Sequence, residues 1–252
     1  MERRCPICGR KLPGVELVLS GRVFRFPASC TCEVERYEKT MLKLRRRSFE
    51  TFLEAYFPPS EVGEYAACTL ENFIPRPGAL DAVEAVRAYI RNLEENLAGG
   101  RGLVLFGPPG TGKTHLAAAV YNAARKQGFP SLLLSVPGLM ARLDGSFLGG
   151  EESEWGLLGL LTSYDLLVLD DLGVERGTER ARERLYAVID GRYRHRKATV
   201  FTTDITVQEE LVTHLTPRLF DRILERCAFV KLSGESFRIE RRRRYGEKLC
   251  EA

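Results

Sequence analysis

One stretch constrains this chain of 252 residues more than any other: Gly107-Pro108-Pro109-Gly110-Thr111-Gly112-Lys113-Thr114. It fits G-x-x-x-x-G-K-[ST]. It follows the apolar run Leu103-Val104-Leu105-Phe106, which reads as a buried strand, and opens a helical pattern from Thr114 to Lys126. That strand–loop–helix order is the context such a loop requires. The glycines let the backbone bend until successive N–H groups face phosphate oxygens. The helix start adds the positive end of its dipole. Lys113 can then reach the outer phosphates, and Thr114 can offer its hydroxyl to Mg²⁺.

A loop of this kind needs an acid at the end of a neighbouring strand. Leu166-Leu167-Val168-Leu169-Asp170-Asp171 supplies an apolar strand ending in two carboxylates. Asp170 is expected to hold Mg²⁺, directly or through water, and Asp171 to orient or activate the attacking water. A plain helix cap is the alternative for the pair. A further strand, Thr199 to Thr203, runs into Asp204. Ligands gather at the carboxyl ends of parallel strands. A polar group there can sense a terminal phosphate, or it can cap the next helix.

The order of elements fits this placement. Residues 80–252 alternate helix and strand. Helices are expected over 82–97, 114–126, 179–194, 207–215 and 218–225, with another starting at Pro137. Strands are expected over 103–106, 131–135, 166–169, 199–203 and 229–232. Five apolar strands joined by helical crossovers imply a parallel sheet covered on both faces. Upstream, residues 58–79 read as a linker, bounded by Pro58-Pro59 and Pro75-Arg76-Pro77-Gly78. Residues 33–57 read as a basic amphipathic helix. Val15 to Phe26 reads as a hairpin turning at Ser20-Gly21.

Four of the seven cysteines lie in the first 32 residues, as Cys5-x-x-Cys8 and Cys30-x-Cys32. Two close thiol pairs flanking a hairpin suggest a tetrahedral Zn²⁺ site. Free thiols or a redox pair are the alternatives. A segment this small buries little apolar surface and needs such a staple. Residues 1–57 are therefore read as a zinc-binding module plus a basic helix. Hydrophobic residues make up 44% of the chain and charged residues 29%, which excludes disorder by composition. No run of about 18 apolar residues suggests a membrane span. No apolar signal region follows the first charges, so a cytoplasmic protein is expected. The net charge of +4 is mild, but basic residues cluster at 43–47 and 238–244. Each cluster is either a solvated face or a contact for a phosphate backbone.

Three segments together resemble a known family. They are Gly110-Thr111-Gly112-Lys113-Thr114-His115-Leu116-Ala117, Leu169-Asp170-Asp171-Leu172-Gly173, and Gly234-Glu235-Ser236-Phe237-Arg238. They are similar to the ATPase of bacterial replicative helicase loaders of the DnaC and DnaI type, with the transposition helper IstB as a close relative. The resemblance covers about residues 69–240. It implies an AAA+ P-loop NTPase with an α/β fold and a five-stranded parallel sheet in the order 5-1-4-3-2. It also implies a nucleotide-binding set from Gly107 to His115, with ATP or ADP and Mg²⁺ as ligands. Thr69-Leu70-Glu71-Asn72-Phe73 matches the segment near the adenine. Asp204 stands where the family usually has Asn, its first sensor. Asp171 replaces a longer Glu and reaches about 1.5 Å less far, which implies slow hydrolysis. Arg222 matches the arginine finger that enters a neighbouring subunit, with Arg218 as the fallback. Arg238 matches the second sensor, acting in cis. The separate helical lid is expected to be missing or reduced.

An N-terminal zinc module on this ATPase resembles the DnaI type of loader. In that reading residues 1–57 dock on a DnaB-type replicative helicase and the ATPase grips single-stranded DNA. The implied partners are thus the helicase, single-stranded DNA and further copies of the chain, with no membrane. The competing readings are a transposase-regulating ATPase on duplex DNA and an ATP-binding adaptor with negligible turnover.

Overall fold

The computed structural model describes residues 3–19, 22–37, 40–41, 59–147, 154–174, 178–239 and 242. The chain divides into two compact units, Met1–Tyr56 and Phe57–Ala252.

In the first unit, β1 (Arg3–Arg4) pairs antiparallel with β2 (Lys11–Leu12). The expected hairpin is present as β3 (Gly14–Leu19) and β4 (Arg22–Pro27). Its register sets Val15 opposite Phe26 and Leu17 opposite Phe24. Residues 31–37 and 40–41 are helical, while residues 38–39 and 42–57 of the expected basic helix, with the cluster at 43–47, lie outside the described residues. Among the described residues of this unit only Cys5 and Cys30 are buried.

The second unit is built on a five-stranded sheet. Its strands are β5 (Gly102–Phe106), β6 (Ser131–Ser135), β7 (Leu166–Asp170), β8 (Ala198–Thr203) and β9 (Cys227–Lys231). The order is β6-β7-β8-β5-β9, and every pairing is parallel. Read from the β9 edge this is the expected 5-1-4-3-2. The near-continuous burial of β5 to β8 explains their unbroken apolar runs. The helices are α1 (Leu80–Arg91), α2 (Leu93–Gly99), α3 (Lys113–Lys126), α4 (Val136–Phe147), α5 (Glu154–Ser163), α6 (Glu179–Arg194), α7 (Gln208–Leu215) and α8 (Pro217–Arg226). Among the described residues no helix is long and apolar enough to cross a membrane.

Three local outcomes differ from the sequence-based expectations. The single helix expected over 82–97 is two, divided at Asn92, whose side-chain amide bonds back to the Ala88 carbonyl. Asn competes with helical backbone bonding in this way. Helix α5 was not expected, because its leucines and two glycines show no helical period. The stretch 58–79 is not a bare linker over its described part. Residues Pro59–Ala67 and Pro77–Ala79 form 3₁₀ turns, and Val62, Phe73 and Ala79 are buried in the core of the second unit. The Asn122 amide on α3 holds this stretch by donating to the carbonyls of Tyr65 at 2.9 Å and Cys68 at 2.8 Å. The prolines and glycines that read as a linker instead make tight turns.

Arg192 on α6 is fully buried, and backbone carbonyls satisfy most of its guanidinium. It donates to the carbonyls of Leu161 (2.6 Å), Tyr164 (3.0 Å) and Ala198 (2.5 Å) and to the Thr199 hydroxyl (3.0 Å). It thereby ties the end of α5 to the start of β8. Arg192→Met should strand these acceptors at a cost of about 3 kcal/mol or more. Calorimetry of the two proteins should show that loss; equal melting temperatures would mean that the cross-link contributes nothing.

Candidate nucleotide site and thiol cluster

The glycine loop joins β5 to α3 at the carboxyl end of the sheet. Gly107 and Gly110 have φ of 147° and 78°, which side chains rarely adopt. Each is also hemmed in. A Cβ on Gly107 would lie 1.9 Å from the Leu232 carbonyl oxygen, and one on Gly110 would lie 2.1 Å from the Ser236 hydroxyl. The segment after β9 therefore braces the loop, and the Phe237 N–H donates to the Gly110 carbonyl at 2.9 Å.

Lys113 is buried, with 5% of its side chain exposed. Its ammonium donates to the carbonyls of Gly107 and Pro108, each at 2.8 Å, and pairs with Asp204 Oδ1 at 2.6 Å. These acceptors match the donor count of an ammonium.

Asp170 ends β7 and is also buried. It accepts from the Thr202 hydroxyl at 2.5 Å and interacts with the Thr114 hydroxyl. Burial raises its pKa, with the negative charge of Asp171 adding to the shift, while the Thr202 bond opposes it. The same Thr202 oxygen accepts from the Asp171 N–H at 2.9 Å. One hydroxyl thus sets both acids, a role the sequence did not single out. Asp171 sits at φ 60°, a left-handed conformation unusual for a residue with a side chain. A hydroxyl beside carboxylates is a donor set that fits Mg²⁺, which takes oxygen ligands and keeps several waters. Thr114 and Asp170 would hold it.

Thr114 and Asp171 face a cavity of about 530 Å³. Lys113, Asp204, Arg238, Tyr65, Phe73 and His115 also line it. His115 Nε2 lies 2.9 Å from the Thr69 carbonyl and 3.0 Å from Asn72 Oδ1, so this nitrogen carries the proton. Asn72 also accepts from the Thr69 N–H at 2.8 Å. The Phe73 ring meets His115 edge-on at 5.2 Å. The Arg76 guanidinium lies 5.1 Å from the Phe237 ring centroid and donates to the Glu235 carbonyl. Arg76 and Tyr65 were missed from the sequence, as neither lies in a motif, and Phe237 was given no role although it lies in the 234–238 segment.

The structure does not bring Arg222 and Arg218 to this cavity. Arg222 pairs with Asp190 on α6 and lies 5.3 Å from the ring centroids of both Tyr186 and Tyr193. Only 14% of its side chain is exposed. Arg218, on the same helix, is exposed. Of the basic cluster at 238–244, only Arg238, Ile239 and Arg242 fall within the described residues.

In the first unit the four expected thiols converge. The sulfurs of Cys5, Cys8, Cys30 and Cys32 all lie within 4.8 Å of one another. Cys8 and Cys30 are 3.6 Å apart, Cys30 and Cys32 3.5 Å. A disulfide bond is about 2.05 Å. Sulfurs at opposite ends of two Zn–S bonds of about 2.3 Å are about 3.8 Å apart. The cluster therefore fits a tetrahedral ion and not a disulfide. The turn after Cys5 closes with the Gly9 N–H on the Cys5 carbonyl and the Ile7 N–H on its sulfur. Hydrogen bonds from the backbone and thiol of Cys32 bring the Cys30 thiol down to about 7, and the same contact pushes Cys32 up to about 12.

Residues 89–245 match the family described as IstB-like ATP binding protein. The replicative helicase loader DnaC of Escherichia coli is 30% identical over 173 residues, 68% of this chain and 69% of that protein. The crystal structure of the DnaC helicase loader superposes with a TM-score of 0.61 at 28% identity, covering 68% of this chain and 99% of that one. AMPPCP-bound DnaA from Aquifex aeolicus superposes with a TM-score of 0.57 at 26% identity, covering 67% of this chain and 50% of that one. With this sheet order, this phosphate loop and these matches, the chain belongs to the IstB/DnaC family of AAA+ ATP-binding proteins.

Proposed function

We propose that this protein is an ATP-switched loader of a DnaB-type replicative helicase onto single-stranded DNA. The observation that carries the reading is the convergence of Lys113, Thr114, Asp171 and Arg238 on one cavity, with buried Asp170 against Thr114, in a chain 30% identical to DnaC. The loop amides and Lys113 would bind the phosphates of ATP, and Thr114 with Asp170 would hold Mg²⁺ to neutralise them. Asp171 would orient the attacking water, and Arg238 would contact the phosphates in cis. The left-handed turn at Asp171 and the short reach of its carboxylate favour slow hydrolysis. Residues 1–57, held by Zn²⁺ on Cys5, Cys8, Cys30 and Cys32, would dock on the helicase in the cytoplasm.

A finger acting in trans comes from α8 and requires ATP-linked oligomers. Arg222 must leave Asp190 to serve, whereas Arg218 is already presented. Arg222→Ala should keep nucleotide binding and lose turnover, and mixing it with a Lys113→Ala protein should restore part of the activity. If Arg218→Ala behaves this way and Arg222→Ala does not, the finger is Arg218. No rescue by either mixture would remove the trans site.

The function is tested by pull-down of the replicative helicase and by ATPase assays on both kinds of DNA. Helicase capture that needs residues 1–57, with turnover stimulated by single strands, is expected. Stimulation by duplex alone would favour a transposition helper. Helicase capture without any turnover would favour an adaptor.

A further inference from the structure

The pairing of Lys113 with Asp204 is more than a resting contact. We infer that Asp204 is a built-in competitor for the phosphate-binding lysine, which makes nucleotide affinity unusually dependent on Mg²⁺. The inference rests on the nucleotide-binding reading of the cavity above.

Three observations carry it. First, Lys113 already has acceptors for its donors: the Gly107 carbonyl, the Pro108 carbonyl and Asp204 Oδ1, the last at 2.6 Å. A phosphate oxygen reaches this ammonium only by displacing one of them. The charged pair is the strongest of these contacts and the one most directly replaced by another anion. Second, the lysine is buried, so water does not screen the pair as it would on a surface. Asp204 itself is partly exposed, so its carboxylate can move aside toward solvent. Third, Asp204 and Asp171 both line the cavity, and Asp170 lies behind Thr114. A nucleotide without a cation would bring its phosphates against these carboxylates while losing the Lys113 charge to one of them. With a divalent cation present, the displaced carboxylate has a positive partner and the repulsion is neutralised. An asparagine at this position would accept the same hydrogen bond without holding the charge.

The test compares the full chain with Asp204→Asn and Asp204→Ser, by calorimetric titration with ATP in excess EDTA and again in excess Mg²⁺. Melting curves of the nucleotide-free proteins give a second readout. In EDTA, both variants should bind ATP about tenfold tighter or more, the worth of one charge-assisted hydrogen bond. In Mg²⁺ the gain should be much smaller, so the ratio of the two affinities falls. The nucleotide-free variants should melt earlier, because a buried ammonium has lost its counter-ion. Earlier melting with unchanged or weaker affinity in EDTA would overturn the inference, leaving Asp204 a structural acid or a metal ligand. If neither wild type nor variants take up ATP under either condition, the nucleotide reading of the cavity fails instead.

Discussion

Stripping zinc from the intact protein should unfold its N-terminal unit and leave the ATPase unit standing. Among the described residues of the first unit only Cys5 and Cys30 are buried, and both belong to the thiol cluster. The hairpin residues Val15, Leu17, Phe24 and Phe26 are exposed, so they contribute little burial within the unit. A two-stranded hairpin alone is at best marginally stable in water. A metal held by the four thiols would then serve as the core. Structural Zn²⁺ sites bind with about 10–16 kcal/mol at neutral pH, and that energy is folding energy. The second unit has its own apolar core around β5, β7, β8 and α3 and needs no help from the thiols. Limited proteolysis after chelation should cut the first unit rapidly while the second unit, including its packed stretch from about residue 59, resists, and one equivalent of zinc should restore protection. Cys30→Ser should mimic the chelator. A chain that carries no zinc, or one whose first unit stays protected without it, would sink this account.

Lys113→Ala should weaken ATP binding by about a hundredfold or more, since a phosphate loses at least two charge-assisted hydrogen bonds to the ammonium. The lysine is the one residue of the loop whose charge is delivered from a buried stem at the start of α3. Its removal leaves the loop amides and the helix dipole, which are weaker partners for a terminal phosphate. The variant should still fold, because the sheet order and the braces on Gly107 and Gly110 do not pass through this side chain. Calorimetric titration with Mg²⁺ and ATP reads the loss, and far-ultraviolet circular dichroism checks the fold. Unchanged affinity would mean that nucleotide, if bound at all, lies elsewhere.

Much of this was legible in the chain itself. The glycine pattern, the apolar strands and the acids at their ends are local signals, each spanning a few residues. They determined the loop, the parallel sheet, the Asp170–Asp171 pair and the two thiol pairs, because backbone geometry and charge impose them wherever they occur. Even the strands expected on either side of Ser20-Gly21 lie close to those observed.

Only the tertiary structure decided which distant groups meet. It set Asp204 on Lys113, when the sequence left a choice between a phosphate sensor and a helix cap. It drew the supposed linker onto α3 through Asn122, and it placed Tyr65, Arg76 and Phe237 around the cavity. It paired Arg222 with Asp190 inside the subunit. The physical reason is common to all four. Periodicity and motif spacing report the preferences of neighbours along the chain. An ion pair or a buried amide is settled by desolvation and geometry between segments that only folding brings together.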